Sequence, residues 1–225
     1  MKNPIDLQVD VLEGGDLPRD TFLNLPVEKR RRVEEAALRE FAEKGYQKAS
    51  IQAIARAAGV AKGSMYQYFK GKDQLFLYIF SLAIKNKIQY VLRVLQEHWG
   101  LPFFQLLEEL FVSGQHYARV FPYTYQIYLK SKEGLPPEIR DKISRQLDSS
   151  STAQYYEALV EEAAGRGEIR EDIDLGLAVF VVFTLMKEFG AYMVAAPPLS
   201  EEENKLQVLQ FVDVLKNGLR GGACP

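Results

Sequence analysis

Residues 50–69 read SIQAIARAAGVAKGSMYQYF, and no other stretch restricts the fold so tightly. Ser50 is an N-cap candidate, since its hydroxyl can accept from a backbone N–H of the next turn. Ile51, Ile54, Ala55 and Ala58 follow at helical spacing and give one buried stripe. Gly59 can take the positive φ that a tight turn needs. Val60 plugs inward, and residues 62–69 make a second short helix with Met65 and Phe69 facing in. Ala53, Ala55, Ala57 and Ala58 let the two helices approach closely. The pattern is a helix-turn-helix.

The outward face of the second helix carries Lys62, Ser64, Tyr66, Gln67 and Tyr68. These side chains suit phosphates and base edges in a major groove about 12 Å wide. Charge agrees. The chain carries a net −2, yet residues 27–72 hold eleven Lys/Arg against five Asp/Glu. A compact basic module is the electrostatic footprint of a polyanion partner, here double-stranded DNA.

The rest of the chain reads as helix throughout. A helix over residues 27–45 places Val33, Ala36, Ala37 and Phe41 on one stripe, closed by Gly45 in the left-handed conformation. After residue 70 come a long helix to about 98 and further helices at 103–120, 122–130, 137–164, 174–196 and 201–216. Ser200 and Glu203 form a capping box. The expectation is an all-α protein of about nine helices in three parts. Residues 1–26 form a flexible or loosely docked arm, residues 27–72 the helix-turn-helix DNA-binding domain, and residues 73–225 an effector-binding and dimerisation domain.

Residues 32–75 resemble the DNA-binding domain of the tetracycline-repressor (TetR) family. The matching positions are Ala36-Ala37, Phe41, Gly45-Tyr46, Ser50, Ile54-Ala55, Ala58-Gly59-Val60, Gly63, Tyr66, Tyr68-Phe69, and Lys72 with Leu75. The resemblance implies that Ser50 caps the first helix of the pair and touches phosphate. It implies that Lys62 and Gly63 open the recognition helix near the bases, beside Ser64. Tyr66 and Tyr68 would hold phosphates, Gln67 would read a base, and Lys72 would anchor a phosphate. Tyr46 reads as packing. Two departures are mild: Gly71 stands where asparagine is common, and the N-terminal arm is longer than usual.

In the family the last two helices form a four-helix bundle with their copies in a second subunit. The resemblance therefore implies a homodimer joined through Phe180, Phe183, Leu206, Leu209, Val212 and Leu215, and a palindromic operator. The run Leu175–Met186 is apolar nearly all round, as a helix covered on all sides should be. Aromatic residues crowd the middle of the chain, where the family has an effector cavity. The expected lining is Trp99, Phe103, His116, Tyr117 and Tyr125, with Tyr128, Tyr155, Phe183 and Lys187. An apolar or aromatic small molecule suits such walls. The switch that the resemblance implies is two-state: effector shifts the long helix beginning at Lys72 and weakens operator binding, although some members of the family need their ligand to bind DNA and the sequence does not give the sign.

Other classes fit poorly. Two histidines, one cysteine at position 224 and no phosphate loop leave no catalytic constellation, no metal site and no cofactor motif. Adjacent acids such as Glu108-Glu109 diverge by about 100° on a helix. No secretory leader is read at the start, and Leu175–Met186 is too short to span a membrane, so a cytoplasmic protein without membrane contact is expected. The competing expectation is a DNA-binding dimer without a small-molecule switch, acting through a protein partner or organising DNA.

Overall fold

A computed structural model describes residues 17–131, 134–148, 152–195 and 199–219. The described residues form eleven helices: α1 (Asp20–Leu23), α2 (Val27–Lys48), α3 (Ile51–Ala58), α4 (Lys62–Tyr68), α5 (Lys72–Glu97), α6 (Phe103–Val120), α7 (Pro122–Lys130), α8 (Pro137–Asp148), α9 (Thr152–Gly165), α10 (Leu175–Ala195) and α11 (Glu201–Leu219). The all-α class is as expected. The count exceeds nine because α1 lies within the expected arm and because the stretch 137–164 is described as α8 and α9.

The chain divides into two compact units, and the division differs from the boundary expected at residue 72. One unit takes the described residues from 17 to 87 and from 121 to 148, so α7 and α8 belong with the DNA-binding helices. The other takes the described residues from 88 to 120 and from 152 to 219. The reason is packing that sequence distance hides. On α7, the Tyr123 hydroxyl reaches Glu43 of α2 at 3.3 Å, and Lys130 donates to the Glu43 carbonyl at 2.8 Å. Arg39 of α2 lies over the Tyr123 ring.

The core of the first unit is aromatic. Phe76 of α5 packs edge-on against Phe41 and Tyr46 of α2, at centroid distances of 5.0 and 5.2 Å. Val33, Ala37, Ile54, Ala55, Ala58, Met65 and Phe69 close around them, while Ala36 and Ile51 are only half-buried. Two buried-edge tyrosines bridge α2 and α5. Tyr46 donates to Asp73, and Tyr78 donates to Glu34 at 2.6 Å. Burial first, and then the facing carboxylate, hold both phenols well above the usual tyrosine range.

Gly45 corrects the expected left-handed closure of α2. Its φ of 71° is positive, but its ψ of 167° is extended, and a further helical turn follows it to Lys48. That backbone region is essentially restricted to glycine.

In the second unit α6 packs on α10 and α11, and α9 packs on α10. Phe111, Phe189 and Phe211 form one aromatic cluster, the last two stacked at 4.0 Å. The capping box of α11 is present: Glu203 N–H donates to Ser200 Oγ at 3.2 Å, and Ser200 N–H to the Glu203 carboxylate at 2.8 Å. Those hydrogen bonds hold the Glu203 carboxyl below its ordinary value. By length and composition α5 is apolar enough to cross a membrane. Half of its most apolar window is buried inside the fold.

Candidate nucleic-acid interface

α3 and α4 build the interface. Ser50 adopts extended backbone and its Oγ accepts from Ala53 N–H at 3.4 Å, so it caps α3 as expected. Gly59 is left-handed, with φ 68° and ψ 37°. The turn is a Schellman motif: Val60 N–H bonds the Ala55 carbonyl at 3.0 Å and Gly59 N–H bonds that of Arg56. Arg32 of α2 donates to the Ala58 carbonyl, so the end of α3 is tied to the supporting helix. These contacts fix the angle at which α4 leaves the turn.

On α4, Lys62, Gly63 and Gln67 are exposed, Tyr66 is 47% exposed, and Ser64 is half-buried. Ser50, which precedes α3, is exposed as well. Two expected contacts are placed otherwise. Tyr68 is only 5% exposed, its ring 5.6 Å from that of Phe22, so packing and not phosphate binding fixes this side chain. Lys72 is half-buried over the Tyr46 ring at 4.6 Å and donates to the carbonyls of Gln47 and Ala49. It neutralises the carbonyl end of α2, which occupies much of the ammonium. Tyr46 packs, as expected.

Two exposed side chains were not singled out by sequence: Gln52 and Arg56, one turn apart on α3. The signal was their i, i+4 spacing on the polar side of the small-residue stripe. The larger omission is the segment before α2. Phe22 is wholly buried among Tyr68, Phe69 and Tyr78, so residues 17–25 are docked and not a loose arm. Residues 1–16 of that arm lie outside the described residues.

The expected effector residues fall in both units. Tyr125 and Tyr128 are buried in the first unit. Trp99, Phe103, His116, Tyr117, Tyr155, Phe183 and Lys187 belong to the second. Trp99 and His116 are exposed there, because they sit at a helix end and on the outer side of α6; neither lines an interior. The side chain of Lys187 lies outside the described residues. Phe103, Tyr117 and Tyr155 are buried, and Phe183 is half-buried against Tyr156 at 5.7 Å. His98 bonds the Val94 carbonyl at 2.9 Å, a helix-end role as expected. Among the described residues no group of His, Cys, Asp and Glu could hold a metal ion.

The expected dimer residues also divide. Phe180 is 64% exposed and Leu206 56% exposed, with Leu209 exposed as well. Val212 and Leu215 are buried in the protomer's own core, because α11 turns that side toward α6. Leu177, Tyr192 and Val214 are exposed apolar residues on the same two helices that the sequence reading did not select.

A capped, glycine-turned helix pair with a polar exposed second helix, braced by α2, is a helix-turn-helix DNA-binding module. The profile of bacterial regulatory proteins of the tetR family matches residues 35–79. Residues 35–79 are thus a TetR-type DNA-binding domain, and the proteins that the chain resembles over most of its length are DNA-binding transcriptional regulators rather than enzymes. A TetR family transcriptional regulator from Chloroflexus aurantiacus superposes with a TM-score of 0.69 at 29% identity, covering 92% of this chain and 100% of that one. The fatty acid metabolism regulator protein of Bacillus subtilis is 26% identical over 71% of this chain and 80% of its own length. The transcriptional regulator FadR from Bacillus subtilis, in complex with stearoyl-CoA, shares the fold with a TM-score of 0.65 at 22% identity, covering 81% of this chain and 96% of that one.

Proposed function

We propose that the protein is a cytoplasmic repressor that holds a palindromic operator as a homodimer and is released by a small apolar or aromatic effector. The DNA face is Ser50, Lys62, Gly63, Ser64, Tyr66 and Gln67, with a partial contribution from Lys72. The dimer face is the exposed apolar side of α10 and α11 around Phe180, Leu206 and Leu209. The effector site is the interior of the second unit.

One observation carries the effector reading. Tyr155 is 6% exposed among apolar and aromatic side chains, and its hydroxyl is buried with no hydrogen-bond partner among the described residues. A buried unpaired hydroxyl costs about 1–3 kcal/mol, which a ligand carbonyl or hydroxyl would recover. Burial drives the Tyr155 phenol far above its ordinary range, so it stays a donor. The bound stearoyl-CoA of the structurally similar FadR makes long-chain acyl thioesters the first class to test.

Thermal shift with stearoyl-CoA, shorter acyl-CoAs, free coenzyme A and a naphthalene-type aromatic is the experiment. A true effector at about 100 times its Kd stabilises the fold by about 2.7 kcal/mol and releases DNA in the same concentration range. Tyr155→Phe keeps the fold and loses about 5- to 10-fold in effector affinity, the yield of one hydrogen bond. No shift with any compound would favour a dimer without a small-molecule switch. An unchanged affinity in Tyr155→Phe would remove that hydroxyl from the site.

A further inference from the structure

The recognition helix is very short, and the last four carbonyls of any helix have no partner within it. In α4 these belong to Met65, Tyr66, Gln67 and Tyr68. Phe69 N–H takes the Met65 carbonyl at 2.9 Å. The next two donors come from far along the chain. Thr21 Oγ1 donates to the Gln67 carbonyl at 2.6 Å, and Arg19 N–H donates to the Tyr68 carbonyl at 3.0 Å.

The same segment is pinned on its other side to α5. The buried Gln74 side chain donates from Nε2 to the Leu17 carbonyl at 2.7 Å, while its Oε1 accepts from Lys70 N–H at 2.8 Å. Phe22 fills the space between, with ring centroids 5.6, 4.7 and 5.6 Å from Tyr68, Phe69 and Tyr78. Residues 17–22 thus hold the end of α4 against the start of α5 by two hydrogen bonds to α4, one to α5 and one buried ring.

We infer that this N-terminal strap is a positioning device for DNA recognition, with Thr21 and Phe22 as positioning residues that set the pose of the recognition helix. The carbonyl held by Thr21 belongs to Gln67, the residue whose side chain is placed to read a base. A helix of seven residues gains little from its own hydrogen bonds, so external partners decide its orientation. Base readout depends on that orientation, whereas non-specific attraction to phosphates does not. The inference rests on α4 meeting DNA, and one of its two readouts needs no DNA.

Thr21→Val removes the donor and keeps the shape, Thr21→Ser restores the donor, and Phe22→Leu thins the buried wedge. Each full-length variant is measured against the duplex that the wild type selects from a random 30-base-pair pool, and against a scrambled duplex. Hydrogen exchange of α4 amides is measured in parallel without DNA. Thr21→Val loses about 3- to 10-fold in affinity for the selected duplex, the equivalent of one hydrogen bond, and keeps its affinity for the scrambled one. Its α4 amides exchange faster, while those of α6 and α11 do not. Thr21→Ser returns both readouts toward wild type, and Phe22→Leu moves both in the direction of Thr21→Val. Unchanged α4 exchange in Thr21→Val overturns the inference, whether or not a selected duplex exists. A purely stabilising strap would lower the melting temperature in Thr21→Val and Phe22→Leu and leave the ratio of specific to non-specific affinity untouched, which also overturns it.

Discussion

Phe180→Glu is expected to convert the proposed dimer to a monomer and to lower affinity for its operator by at least about 100-fold. Phe180 is 64% exposed on α10, and Leu177 and Tyr192 lie exposed along the same helix. Leu206, Leu209 and Val214 extend the apolar surface on α11. Apolar residues at this density, on two neighbouring long helices, mark a protein–protein surface. In a two-fold interface each residue meets the same patch of its copy, so one substitution introduces two charges into a desolvated seam. Each charge loses solvation without a partner, a cost of several kcal/mol. The protomer's core is untouched, because Val212 and Leu215 supply its inward face. Sedimentation velocity and anisotropy against the selected duplex check the result. A Phe180→Glu protein that remains dimeric would place the subunit contact elsewhere.

Phe76→Ala destabilises the DNA-binding unit by about 3–5 kcal/mol. The ring is 2% exposed and contacts three others: Phe41 and Tyr46 on α2, and Phe80 on α5 at 6.2 Å. It joins the supporting helix to the long helix that follows the recognition helix. The loss combines the transfer energy of a phenyl group with that of a cavity between two helices that other contacts hold apart. Tyr46–Asp73 and Tyr78–Glu34 flank the site, so the helices cannot collapse to fill it. Urea titration followed by circular dichroism gives the value. The transition of the unit that holds α2–α4 should move, and DNA binding should fail at temperatures the wild type tolerates. A loss below about 1 kcal/mol would mean that α2 and α5 are not held together by this ring.

How far the sequence alone reached follows the range of the interactions. The cap at Ser50, the turn at Gly59 and the Ser200–Glu203 box are local, and each stands in the structure as the residue types demand. The exposed face of α4 was legible for the same reason, since period and polarity are local properties. What was not legible depends on distant pairing. Residues 17–25 look like part of a loose arm because Pro18, Asp20 and the glycines just before them carry no period. Only Phe22, met by three rings from residues 68, 69 and 78, makes the segment part of the fold. Tyr68 is polar at its tip and seemed a surface residue, until Phe22 covered it. Lys72 looked like a phosphate anchor, but the carbonyl end of α2 lies within its reach.

The two units show the same limit. Nothing local in residues 122–130 says that α7 packs on α2, about eighty residues earlier, through Tyr123, Lys130 and Glu43. On α11 the sequence offered a single stripe of Leu206, Leu209, Val212 and Leu215. The structure splits it between an exposed edge and the core, a split set by where α6 lies.

The most direct test of the central claim is selection of duplexes from a random 30-base-pair pool by the purified full-length protein, followed by fluorescence anisotropy at about 0.15 M salt. The account predicts an inverted repeat, bound with a Kd in the range of about 10⁻⁸–10⁻¹¹ M and at least about 10³-fold more tightly than a scrambled duplex. Equal, weak and steeply salt-dependent binding to both duplexes would contradict a sequence-reading regulator, and no binding to either at low salt would contradict DNA binding itself.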